Sequence, residues 1–285
     1  MIYRVRHLTE YHYPEPVSVS HHRLHLTPRP QPRQNCRTFQ LVIDPVPTVL
    51  MERTDYFGNM TNFCDIQQPH QQLRVIAESE IEIHESPAYP TATSLPWETA
   101  QRAAGSEFAP SQFLFDSPFV STAAKFADYA RQSFTPQCPF LPAVLNLTER
   151  IHQEFKYDPR ATTVATPVAE FFEKKRGVCQ DFAHLQIACL RSLGLAARYV
   201  SGYLQTSSAP GQAKLVGADA SHAWVAVYCP GDGWIDVDPT NNSLPALQHL
   251  TIAWGRDYGD VTPIRGVILG GGTHRLHVAV TVDPA

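Results

Sequence analysis

No run of this 285-residue chain approaches the ~20 consecutive apolar residues of a membrane-spanning helix. Its first residues, MIYRVRHLTEYHY, alternate polar and apolar instead of building a signal-peptide core. No membrane association is expected, and a cytoplasmic location is. The six cysteines (Cys36, Cys64, Cys138, Cys179, Cys189 and Cys229) include no CxxC pair, which speaks against a disulfide framework and fits reduced thiols. Of the thirteen histidines, His21 and His22, adjacent on a strand pattern, face opposite ways. No metal and no cofactor are expected. A dominant charge sign is missing too: 23 basic against 27 acidic residues give −4, without the basic footprint of a nucleic-acid binder. Internal repeats and low-complexity tracts are absent. Proline is the residue in excess, and 24 of them argue for turns and extended connections rather than a helical bundle. With 43% hydrophobic residues the chain can bury a core without help from disulfides or a structural metal.

Hydrophobic periodicity divides the chain. In RVIAESEIEIH (74–84), Val75, Ala77, Ile81 and Ile83 share one face and the charged residues the other, the period of two of a half-buried antiparallel strand. IYRVRHL and FQLVID read similarly, with Pro-rich turn signals between them, so residues 1–85 are expected to form a β-rich module. Residues 86–117, rich in Pro, Ser, Ala and Thr, read as a linker or surface wrap. From 118 to 250 helical spacing comes first: Val120, Ala123, Ala127 and Ala130 form one stripe, and Val144, Leu147, Ile151 and Phe155 another. Thr166-Pro167 reads as a capped helix start. Strand patterns ARYVSGYL, SHAWVAVY and WIDVDP follow, the last two as a hairpin around CPGDG. The tail, 251–285, ends in the alternating HRLHVAVTV and is expected to pack on the core or on the N-terminal module. The fold class is therefore α+β.

The stretch KKRGVCQDFAHLQIACLRSLG (174–194) poses the chemical question. Its stripe Phe182, Leu185, Cys189 and Leu193 and a cap at Gly194 mark a helix beginning at or within one residue of Cys179. A helix N-terminus favours an anion, and thiols so placed beside a cationic histidine ionise at pKa ~3.5–7.5. Cys189, on the apolar stripe, reads as an inert core residue. A thiol nucleophile needs a base, and the base an orienter. If the turn Cys229–Gly233 sets Tyr228 opposite Trp234, then Asp238 is the diagonal neighbour of His222, at ~7–8 Å between Cα atoms. Asp236 lies two pairs from His222, so Asp238 is the carboxylate expected to serve it. Each residue also has an ordinary reading, as a buried thiol, a satisfied strand histidine and a turn aspartate.

The segments RGVCQDFAHLQIACLRSLGLAARYVSGYL and ASHAWVAVYCPGDGWIDVDPTNN resemble the core of the bacterial transglutaminase-like superfamily, whose fold is similar to papain-type cysteine peptidases. YHYPEPVSVSHHRLHLTPRP and DYFGN resemble the β-rich N-terminal region of this branch, and GRDYGDVTPIRGV its C-terminal segment. The resemblance implies an antiparallel sheet packed by helices with the nucleophile at a helix N-terminus, and catalytic roles for Cys179, His222 and Asp238. It implies acyl transfer through a thioester, on a peptide or protein substrate; the complete triad and the expected cytoplasmic setting favour hydrolysis of peptide or isopeptide amides over cross-linking. The backbone N–H of Cys179 is one candidate oxyanion donor and Tyr157 another. No D-x-[DN]-x-[DN]-G loop suggests calcium. The alternative is a non-catalytic peptide-binding or assembly module in which the three residues are vestigial.

Overall fold

The computed structural model describes residues 1–85, 88–206 and 220–285; residues 86 and 87 of the expected linker lie outside the described residues. Five strands open the chain: β1 (Ile2–Leu24), β2 (Gln34–Asp44), β3 (Val49–Thr54), β4 (Met60–Ile66) and β5 (His70–Ile83). Helices α1 (Trp97–Ser106), α2 (Phe108–Ser111), α3 (Ala124–Arg131) and α4 (Phe140–Glu154) follow. The short strands β6 (Lys156–Tyr157) and β7 (Arg176–Gly177) bracket α5 (Val168–Lys174) and lead into α6 (Cys179–Ser192). Then come β8 (Ala197–Leu204), β9 (Ala220–Cys229), β10 (Gly233–Val237) and β11 (His249–Gly255), with β12 (Ile264–Gly270) and β13 (Arg275–Pro284) at the end. The architecture is α+β, as the alternating periods of two and 3.6 require.

Two antiparallel sheets carry it. β10-β9-β8-β11 forms the smaller; the larger runs β2-β5-β1-β4-β3 and is completed by β12 and β13, both paired with β1. The tail is thus hydrogen-bonded into the sheet of the first 85 residues, with Tyr3 opposite Pro284 and His7 opposite Val280. Val75, Ala77, Ile81 and Ile83 are all buried, the face the alternation selects. The two sheets share a core in which Tyr3, Val5, Val280 and Val282 of one meet Tyr203, Leu250 and Ile252 of the other.

Helix α6 runs through the centre of the second region. It packs between helices α3, α4 and α5 and strands β8 and β9, and every residue from Gln180 to Arg191 is buried. The expected stripe is therefore only part of a helix covered on all sides, which its polar residues permit because each meets a partner. Gln186 Nε2 donates to Thr148 Oγ1 (2.8 Å), and Arg191 donates to the carbonyls of Ala197, Phe115 and Arg256. The end is as expected: Gly194 has φ +72°, and the Leu195 N–H bonds the Leu190 carbonyl (3.0 Å).

Two local expectations give way. Helix α1 lies inside the stretch read as a linker; its buried side is Ala100 and Ala104, whose small side chains leave almost no apolar signal among Ser, Thr and Pro. Thr166 does not cap α5: Pro167 is the N-cap residue, and the Thr166 hydroxyl accepts instead from the Thr163 N–H (2.9 Å).

Candidate active site

Cys179 is the first residue of α6, half-buried, and the approach to it is fixed by Asp181. Asp181 Oδ2 reaches back to the Val178 N–H (2.8 Å) and accepts from Thr162 Oγ1 (2.6 Å), so a carboxylate at the third helical position satisfies an end donor that valine cannot cap. This explains Gly177. A Cβ there would drive into the Asp181 carboxylate and the Phe171 ring. Gly177→Ala is expected to lower stability by about 1–3 kcal/mol through overpacking and to slow alkylation of Cys179 by shifting the helix start. Thermal melts and alkylation rates of the two proteins check this; unchanged values in both would show that the start is set elsewhere.

The β9–β10 hairpin has the register the sequence reading assumed, Trp234 opposite Tyr228 and Asp236 opposite Ala226. It brings His222 and Asp238 together, Nε2 to Oδ2 at 2.7 Å, both buried. Cys179 and His222 line the same cavity, near enough for the sulfur to contribute to raising the pKa of the ring. With Nε2 spent on the carboxylate, Nδ1 is the nitrogen left for sulfur. Asp236 is not part of the group: it lies against the buried Arg198 guanidinium, which stacks on Trp234 and Trp254.

Charge follows geometry. Burial alone would lower the pKa of His222, but the hydrogen bonds and charges of Asp238 and Cys179 reverse this and raise it to about 10. Asp238 moves below the ordinary carboxylate range: its burial opposes ionisation, and donors from His222, His249 and Asn241 overcome the penalty. The proton is therefore held on the ring, where a leaving amine could collect it. Cys189 is fully buried, and burial pushes its thiol far up. The two cysteines of α6 differ as the stripe suggested.

The sequence reading missed two supports of Asp238. His249 Nε2 approaches Oδ2 at 3.1 Å from β11, and Asn241 Nδ2 donates to the same atom at 2.7 Å, while the Thr240 and Asn241 N–H groups donate to Oδ1. Asn241, three residues beyond Asp238, could have been found as an Asx-turn partner. His249 could not, because β11 joins the sheet beside β8, on the far side from β10. Among the described residues, His222, Asp238 and His249 form a cluster whose ligand atoms lie within 4.8 Å and could hold a metal ion. As they stand, both Nε2 atoms converge on one carboxylate oxygen. Tyr157 is close enough for the Cys179 charge to add to the effect of burial in raising its pKa, yet its side chain is 52% exposed and does not line the cavity at the thiol.

That cavity, about 310 Å³, is closed on one side by α6, β8 and β9 and on the other by β1, β12 and β13 of the larger sheet. Tyr258 also lines it, held through its N–H by the buried His184 Nε2 (3.2 Å), a ring that burial keeps neutral with a pKa of about 3. No helix among the described residues is long and apolar enough to cross a membrane.

Comparison with known proteins accounts for both sheets. Residues 3–82 match the family described as the bacterial transglutaminase-like N-terminal region, and residues 127–239 match the transglutaminase-like superfamily. An uncharacterized protein of Mycobacterium bovis is 38% identical over 290 residues, spanning 99% of this chain and 91% of its own. A protein-glutamine gamma-glutamyltransferase of Pseudomonas aeruginosa is 33% identical over 131 residues, 43% of this chain but 19% of that protein. The crystal structure of a candidate cysteine protease from Cytophaga hutchinsonii covers 100% of this chain and 91% of its own with a TM-score of 0.78 at 20% identity, which establishes a shared fold. By these matches the chain belongs to the transglutaminase-like superfamily, in the branch with the bacterial N-terminal region, and this membership points to an enzyme of cysteine chemistry.

Proposed function

We propose that the protein is a cysteine-dependent acyl-transfer enzyme that acts on peptide or isopeptide amides and passes the acyl group to water more readily than to a second amine. The observation that carries this reading is the placement of Cys179, at a helix N-terminus, and His222 on one cavity, with the His222 ring bonded to the buried Asp238 carboxylate. With the thiol proton already resting on His222, Sγ attacks the amide carbonyl carbon. As the tetrahedral intermediate collapses, the C–N bond breaks and the departing nitrogen takes the proton from His222. Water then attacks the thioester, gives its proton to the ring, and releases the acid as the thiol is restored. Asp238 holds the ring with Nε2 toward itself and Nδ1 toward sulfur. The N–H of Cys179, in the first turn of α6, is the candidate donor to the oxyanion.

All six cysteines are free, which supports a reducing, cytoplasmic setting, and a balanced charge supports a peptide or protein partner over nucleic acid. The test is alkylation by iodoacetamide at pH 6–7 followed by peptide mapping. Cys179 is expected to react at least about a hundredfold faster than the buried Cys189, and equal rates would sink the proposal. A primary amine added during turnover separates the acceptors: free acid is expected to exceed the amine adduct.

A further inference from the structure

The face that β1 and β13 turn toward the catalytic region changes character along its length. On β1 the inward residues are Tyr3, Val5, His7, Thr9 and Tyr11, and on β13 they are Val282, Val280, Val278 and Leu276. At one end, Tyr3, Val5, Val280 and Val282 are sealed into the core shared with β8 and β11. At the other end the same row opens into the cavity at Cys179: Val278 pairs with Thr9 and Leu276 with Tyr11, and the two aliphatic side chains are 46% and 53% exposed. A core face thus continues as bare apolar surface up to the nucleophile. No Asp, Glu, Lys or Arg is among the described residues that line this cavity. His7, at its inner edge, is bonded to the Tyr203 hydroxyl through Nδ1 (2.8 Å) and to Thr9 Oγ1 through Nε2 (3.1 Å), and burial lowers its pKa to about 4, so it offers no charge at neutral pH.

A charged substrate side chain would lose its water here and, among the described residues, find no counter-ion outside the reacting Cys179–His222 pair, whereas an aliphatic or aromatic one would extend the row. At about 310 Å³ the cavity is at the small end of ligand sites, which run to ~1,000 Å³, and fits a short segment rather than a broad protein surface. Resting on the acyl-transfer reading above, we propose that the acyl donor presents an uncharged, apolar side chain beside the attacked carbonyl, and that Tyr11, Leu276 and Val278 of the larger sheet bind it. The β-rich region is then the specificity wall of the active site, built from both ends of the chain.

Peptidyl chloromethyl ketones test this without turnover, since Sγ displaces chloride and the S–C bond records each encounter. Three probes, alike except for leucine, aspartate or lysine beside the reactive carbon, are compared by their rates at Cys179, with iodoacetamide as a small uncharged reference. The leucine probe is expected to react at least about tenfold faster than either charged probe. Leu276→Asp, at an exposed position, should slow the leucine probe about tenfold relative to the iodoacetamide rate measured in the same variant. Equal rates for the three probes, or an undiminished leucine preference in Leu276→Asp, would overturn the substrate assignment while normal iodoacetamide alkylation left the acyl-transfer reading standing. If iodoacetamide itself fails to distinguish Cys179 from Cys189, the acyl-transfer reading falls and the substrate assignment with it.

Discussion

Cys179→Ala is expected to abolish amide turnover, with kcat reduced at least about 10⁴-fold, while the protein stays folded. The size of the first effect follows from covalent catalysis: without sulfur there is no thioester, and what remains is binding and whatever the oxyanion donors give to direct attack by water. The second follows from the position. Cys179 is a small, half-buried side chain at the first position of α6, whose start is fixed by Asp181 on the Val178 N–H rather than by the thiol. Losing one sulfur there should change stability by no more than about 1 kcal/mol. Turnover assays and thermal melts on the same preparations read both numbers. Undiminished activity in the alanine variant would remove sulfur from the reaction and favour the non-catalytic peptide-binding reading. A large fall in melting temperature would make the loss of activity structural. Cys189→Ala is the matching control, because it should leave the chemistry intact while emptying a fully buried site.

The parts of this structure that are legible in the sequence are those set by local order. The apolar alternation 75–83 selects the buried face of β5, and Gly194 marks the end of α6 because only a residue tolerant of φ +72° closes the helix there. The helix start at Cys179 and the hairpin register that aligns His222 with Asp238 belong to the same class: one needs a break at Gly177, the other a tight turn between the paired Cys229 and Gly233. What escapes is whatever depends on which strands become neighbours. His249 reaches Asp238 only because β11 pairs with β8, and Leu276 meets Tyr11 only because the last strand returns to the first across 265 residues of sequence. No local pattern encodes either pairing. Helix α1 escapes for another reason, since a stripe of alanines is too weak to stand out from a Pro- and Ser-rich background.

Asp238→Asn should cost both catalysis and stability, because this carboxylate has no spare acceptor. Oδ2 faces His222 Nε2, His249 Nε2 and Asn241 Nδ2; Oδ1 faces the Thr240 and Asn241 N–H groups. An asparagine must turn its NH₂ toward one of these two sets, so donors confront donors in a buried site whichever way the amide is placed. The change is expected to cost about 3–5 kcal/mol of stability, the order found when one partner of a buried pair is removed, and to lower kcat by about 10²–10⁴-fold as His222 loses its orientation and its counter-charge. The pH dependence separates charge from shape. In the folded wild type, the Asp238 pKa is depressed below its unfolded value, so its contribution is present above about pH 4 and lost as pH falls further. His222 is raised to about 10, so its contribution is full below about pH 6.5 and fades as pH rises toward 10. The stability gap between wild type and Asp238→Asn should therefore be widest between about pH 4 and 6.5 and narrow on both sides. Denaturant melts of the two proteins across pH 3–10 measure it. A gap that stays constant over that range would mean that the asparagine disturbs packing alone, and that no ion pair holds His222 beside the thiol.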